Sequence, residues 1–77
     1  MIKFRFIARS GDESIPLTVA LEYQPGNQTQ RARRLAAGEL LAILAAEEAH
    51  VDAREEGMVT VRTGENIWVI GEARAAD

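Results

Sequence analysis

The stretch TQRARRLAAGELLAILAAEEAHVDAREE, residues 29–56, decides how this chain folds, because it is the one segment with a helical period. At about 100° per residue, Ala36, Ala37, Leu40, Leu41, Ile43, Leu44 and Val51 gather on one side, which predicts a long helix lying on a sheet. Pro25 and Gly26 close the segment before it, and Asn27 or Thr29 can act as N-cap. Gly57 supplies a left-handed residue to end it.

The other side of this helix carries Leu35, Gly38, Ala42, Ala45, Ala46, Ala49 and Ala53 where charge is expected. Gly38, Ala42 and Ala46 recur at intervals of four, so a second helix could approach closely along that row. Alanine is also the best helix former, so the same row reads equally as a solvated face, and Gly38 can equally mark a break between two shorter helices. The charges bear on the choice. Arg31, Arg33 and Arg34 lie at the positive end of the helix dipole, and Glu47, Glu48, Asp52, Glu55 and Glu56 at the negative end. Each misplaced charge costs about 0.3–1 kcal/mol at low salt. An antiparallel copy would set Arg34 against Asp52 and Arg31 against Glu56 about a two-fold near residue 43. Self-association is therefore expected to use Arg31, Arg34, Gly38, Ala42, Ala46 and Ala49.

Outside the helix the period is two. In MIKFRFIAR, residues 1–9, Ile2, Phe4, Phe6 and Ala8 alternate with Lys3, Arg5 and Arg9, and Ile7 interrupts the basic side. Ser10 to Glu13 turn the chain into a second strand from about Ser14 to Tyr23, in which Pro16 means either that the strand is an edge or that its first residues lie outside the pairing. Met58 to Thr63 and Ile67 to Glu72 form a hairpin across Thr63 to Asn66. The expectation is one α+β domain over residues 1–77: a two-layer ββαββ fold with a four-stranded, mainly antiparallel sheet and residues 73–77 frayed. One helix covers one face, yet IWVI, residues 67–70, is apolar on both. With Ile67 and Val69 placed inside, Trp68 and Ile70 share the open face with Ile7, Met58 and the cations; the reversed arrangement makes Trp68 an ordinary core residue.

Composition narrows the function classes. The 77 residues hold no cysteine, which excludes disulfides and thiolate metal sites, and no apolar run long enough to cross a bilayer, so a cytoplasmic protein without membrane contact is expected. The net charge of −3 conceals a gradient: residues 1–38 hold six basic and three acidic side chains, residues 39–77 three basic and nine acidic. Such polarity suits steering toward a charged protein more than a general grip on nucleic acid.

No residue set names a reaction. The single histidine, His50, has Glu47 at the Glu-x-x-His spacing, but di-metal carboxylate bundles need two such motifs and further glutamates. No glycine-rich phosphate loop occurs. No catalytic residue, metal or cofactor is assigned. The expected function is non-enzymatic protein binding, as an inhibitor or adaptor. Glu47, Glu48, Asp52, Glu55, Glu56 and Trp68 would dock on a basic, nucleic-acid-binding partner. In size, charge and composition the chain is similar in type to inhibitors of phages and mobile elements such as anti-CRISPR proteins, a likeness carried by no motif. The alternative is nucleic-acid binding through Lys3, Arg5, Arg9 and Arg62 on the outer sheet face.

Overall fold

The computed structural model describes residues 1–45, 47–53 and 57–75, the last four as backbone only. The order is β1 (Ile2–Ser10), β2 (Glu13–Leu21), α1 (Gln28–Leu44), β3 (His50–Ala53), β4 (Val59–Thr63) and β5 (Asn66–Ala75). The fold is α+β as expected, but the sheet has five antiparallel strands in the order β2-β1-β5-β4-β3, not four. Two tight hairpins fix the register. Each has glycine first in its two-residue turn, Gly11 at φ +58° and Gly64 at φ +57°, a conformation that other residues adopt only with strain.

The connection through α1 carries the chain from one edge of the sheet to the other. The first turns of the helix, with Arg31 and Arg34, stand beside Leu21 and Gln24, and its later ones, with Gly38 and Ala42, beside Thr18 to Ala20, so α1 runs back along β2 before the chain continues to β3 at the far edge. Asn27, not Thr29, is the N-cap: its side chain accepts a hydrogen bond from the Gln30 N–H at 3.1 Å. At the other end the helix stops eleven or twelve residues earlier than its period suggested, with Ala45 left-handed at φ 50°. Stopping there removes the C-terminal half of the dipole conflict, because Glu47, Glu48 and Asp52 fall beyond the last turn, while Arg31, Arg33 and Arg34 stay near the N-terminal end. Alanine resists this conformation and glycine does not, so Ala45→Gly is expected to raise stability by about 0.5–1 kcal/mol. A lowered urea midpoint for that variant would contradict the cap geometry.

Residues 50–53 leave the predicted helix to become β3, pairing Val51 with Val61 and Ala53 with Val59. Covering the edge of β4 outweighs the helix propensity of this segment. Val51 is consequently a half-exposed strand residue and not part of the inner side of the helix, and Ile43 on α1 is 55% exposed rather than inward. At the C-terminus, Ala73, Arg74 and Ala75 do not fray as expected: they pair with Phe6, Arg5 and Phe4 of β1. Between Phe6 and Ala8 the β1–β5 register shifts by one residue, a bulge that falls at Gly71 and Glu72 on β5.

The core lies between α1 and the sheet. Phe6, Ala8, Leu17, Val19, Leu21, Val59, Val61, Trp68 and Ile70 rise from the strands, and Ala32, Ala36, Ala37 and Leu40 descend from the helix. Trp68 is 2% exposed and Ile67 56%, so the inward pair is Trp68 and Ile70, the reverse of the favoured sequence reading. Volume explains it: three alanines on the inner side of α1 leave room for an indole that larger helix residues would deny.

Candidate functional site

With the helix on one face, the other face of the sheet is open, and the registers place its side chains. On β1, Lys3, Arg5, Ile7 and Arg9 point outward and are exposed. Across from them, Val69 stands opposite Arg9 and, on the far side, opposite Thr60; Ile67 stands opposite Arg62, which in turn faces His50 on β3. Ile7 is the diagonal neighbour of Val69, so Ile67, Val69 and Ile7 form an oblique apolar strip. Ile7 is 42% and Ile67 56% exposed. Around this strip lie Lys3, Arg5, Arg9 and Arg62, and among the described residues none of the four has a hydrogen-bond or ion-pair partner. Asp52, opposite Thr60, is the one carboxylate that the described registers bring to the same face.

The cations expected to share this face do share it. Trp68 does not: it lies under the helix, and with Phe4 and Phe6 also turned inward and stacked at 6.3 Å, no aromatic of the described strands is left on this face to stack on a base; Tyr23, 73% exposed, lies beyond the end of β2. The acidic set is dispersed as well. Glu47 and Glu48 are exposed in the segment between α1 and β3, Asp52 is in β3, and Glu55 and Glu56 lie outside the described residues. The expected acidic helix surface is therefore not formed, for α1 carries three arginines and only Glu39 as an acid.

The helix-dimer geometry fails on the same ground. Gly38 and Ala42 are exposed on α1, but Ala49 is past its end and Ala46 lies outside the described residues. Arg34 cannot meet Asp52 across paired helices when Asp52 belongs to a strand. Arg31 is occupied differently, donating to the carbonyls of Pro25 at 3.2 Å and Gln24 at 3.1 Å, which pins the loop leading into the helix. Glu47 and His50 do not share a helical turn, and among the described residues no three histidine, aspartate or glutamate side chains converge as metal ligands. Among those residues no helix is long and apolar enough to cross a membrane.

Sequence reasoning missed Arg33. Its guanidinium donates to the carbonyl of Gly71 at 2.8 Å, to that of Gly57 at 2.6 Å and to Gln30 Oε1 at 2.6 Å, with Phe6 beneath it at 6.0 Å. Its only sequence signal is position, one residue after the buried Ala32. Also missed is a groove between α1 and the free edge of β2. It consists of a hollow of about 410 Å³ bounded by Leu21, Glu22, Gln24, Arg31, Arg34 and Leu35, and another of about 380 Å³ bounded by Thr18 to Ala20, Gly38 and Glu39. Leu35 lines both. No protein-family model, curated protein or solved structure matches the chain.

Proposed function

We propose that this chain is a protein-binding module, an inhibitor or adaptor, which docks the open face of its sheet on an acidic patch of another protein. The observation that carries this is the Ile67–Val69–Ile7 strip, exposed at Ile67 and Ile7 and partly so at Val69, flanked by cations that have no partner among the described residues. Solvation alone gives no reason for isoleucine at these positions, whereas a docking surface needs an apolar centre to desolvate and charges at its rim to steer and orient the partner. The polarity is opposite to the sequence expectation: the basic sheet face meets an acid-bearing partner, in place of an acidic helix meeting a basic one.

A second reading, nucleic-acid binding, is favoured by the same four cations on one flat face. With Phe4, Phe6 and Trp68 turned inward, this face would rest on phosphate contact without base stacking of its own.

The test uses the double variant Arg5→Glu, Ile67→Ser. Both positions are exposed, so stability should move by no more than about 0.5 kcal/mol. A partner captured from cells of the native source by wild type should be held at least about tenfold more weakly by the variant, equivalent to about 1.4 kcal/mol. A saturable, salt-sensitive gel shift of DNA or RNA that Arg5→Glu abolishes would give the second reading instead. Equal retention of the partner by both baits sinks the sheet-face proposal.

A further inference from the structure

We propose that the free edge of β2, together with the groove between it and α1, accepts an extended segment of another protein as a sixth strand, with a carboxylate turned toward Arg34. The groove lies on the helix side of the sheet, while Thr18 and Ala20 turn their side chains to the open face beside Arg5 and Lys3. This edge therefore adjoins the sheet-face surface and differs from it in using backbone groups and the groove. β2 is the end strand and pairs only with β1, so alternate residues along it present backbone N–H and C=O groups to solvent. Pro16 has no N–H to give the β1 ladder, which places it among the outward residues and, by alternation, places Thr18 and Ala20 there too. Pro16 thus blunts the first half of the edge and leaves the second half, at Thr18 and Ala20, able to pair.

That second half is the part flanked by the groove. The two hollows of about 380 and 410 Å³ lie side by side along it, joined at Leu35, which is 50% exposed. An added strand offers every second side chain to the same face, about 6.6 Å apart, so successive ones can enter neighbouring hollows. Main-chain bonds to Thr18 and Ala20 would supply attachment, and the hollows would supply selection. Charge then defines the occupant. One hollow has Arg31 and Arg34 on its wall beside Glu22; Arg31 is tied to loop carbonyls, whereas Arg34 is exposed and, among the described residues, without a partner. The fitting segment carries an apolar side chain against Leu35 and a carboxylate two residues away against Arg34.

The probe is an acetylated, amidated heptapeptide alternating threonine with valine, leucine and glutamate in turn, titrated into the ¹⁵N-labelled full chain. Saturable shifts and slowed amide exchange are expected at Thr18 and Ala20. The analogue with lysine in place of glutamate should bind severalfold more weakly, and Arg34→Glu should reverse that preference. Gly38→Leu is the blocking variant. A Cβ at Gly38 meets nothing within 4 Å, and replacing a helical glycine favours the helix, so the variant should fold at least as well as wild type while its side chain fills the groove. It should weaken the peptide about tenfold or more and leave partner binding by the sheet face unchanged. Three results would overturn the inference: no shift at Thr18 and Ala20 at millimolar peptide, shifts confined to Lys3, Arg5 and their face, or a concentration-dependent dimer in which these amides are already protected without peptide, which would make a second copy the occupant.

Discussion

Arg33→Ala is expected to remove about 2–4 kcal/mol of stability, out of about 4–12 kcal/mol for a chain of this length. The basis is where its three bonds go. The Gly71 carbonyl lies at the β5 bulge, where the register with β1 breaks, and the Gly57 carbonyl lies just ahead of β4. A bulge leaves a backbone acceptor without its regular ladder partner, and a guanidinium from the first turns of α1 reaches this one at 2.8 Å. Arg33 thereby holds the helix to the bulge between β1 and β5. Bonds from a charged donor contribute about 1.5–3 kcal/mol each but are not additive, which sets the expected range. Arg33→Lys should recover less than half, because a single ammonium cannot reproduce a planar fork aimed at several acceptors. Arg33→Met, which keeps an unbranched apolar side chain and removes the charge and the donors, separates packing from hydrogen bonding. Urea unfolding followed by far-ultraviolet circular dichroism gives all three values, and a loss below about 0.5 kcal/mol for the alanine variant would mean that water replaces these bonds at little cost.

Arg33 also shows why part of this molecule could be read from sequence and part could not. The alternation in β1, the glycine-led hairpins and the Asn27 cap are local signals, and local signals survive in the fold. The end of the helix is not local. Residues 42–56 are rich in alanine and glutamate, so propensity continues the helix through them, while β3 has one β-branched residue and owes its form to pairing with β4. The misplaced acids did hold the information. They signal a helix that stops early, although within a continuous helix they call equally for a partner. The cations of the candidate face were legible because Lys3, Arg5 and Arg9 alternate with core residues on one strand. Its apolar centre was not, because IWVI satisfies either orientation and the deciding fact is the room beneath Ala32, Ala36 and Ala37.

The orientation of β5 carries the second large effect. Trp68→Ala should cost about 3–5 kcal/mol, the range for emptying a buried aromatic site, whereas Ile67→Thr, one residue away on the same strand, should stay within about 0.5 kcal/mol. Both predictions follow from exposures of 2% and 56%, and an inward Ile67 would exchange them. Trp68→Phe is the finer probe. The indole Nε1 has no partner among the described residues, and an unsatisfied buried donor costs about 1–3 kcal/mol. Deleting that donor offsets part of the volume lost, so phenylalanine should cost about 1–2 kcal/mol less than its cavity alone implies. The chain has a single tryptophan, so native emission should be blue-shifted and protected from quenchers such as acrylamide. Emission at the wavelength of free indole, with Ile67→Thr as costly as Trp68→Ala, would return Trp68 to the open face and put an aromatic among the cations. The nucleic-acid reading would then regain the stacking surface it lacks when the indole is covered by α1.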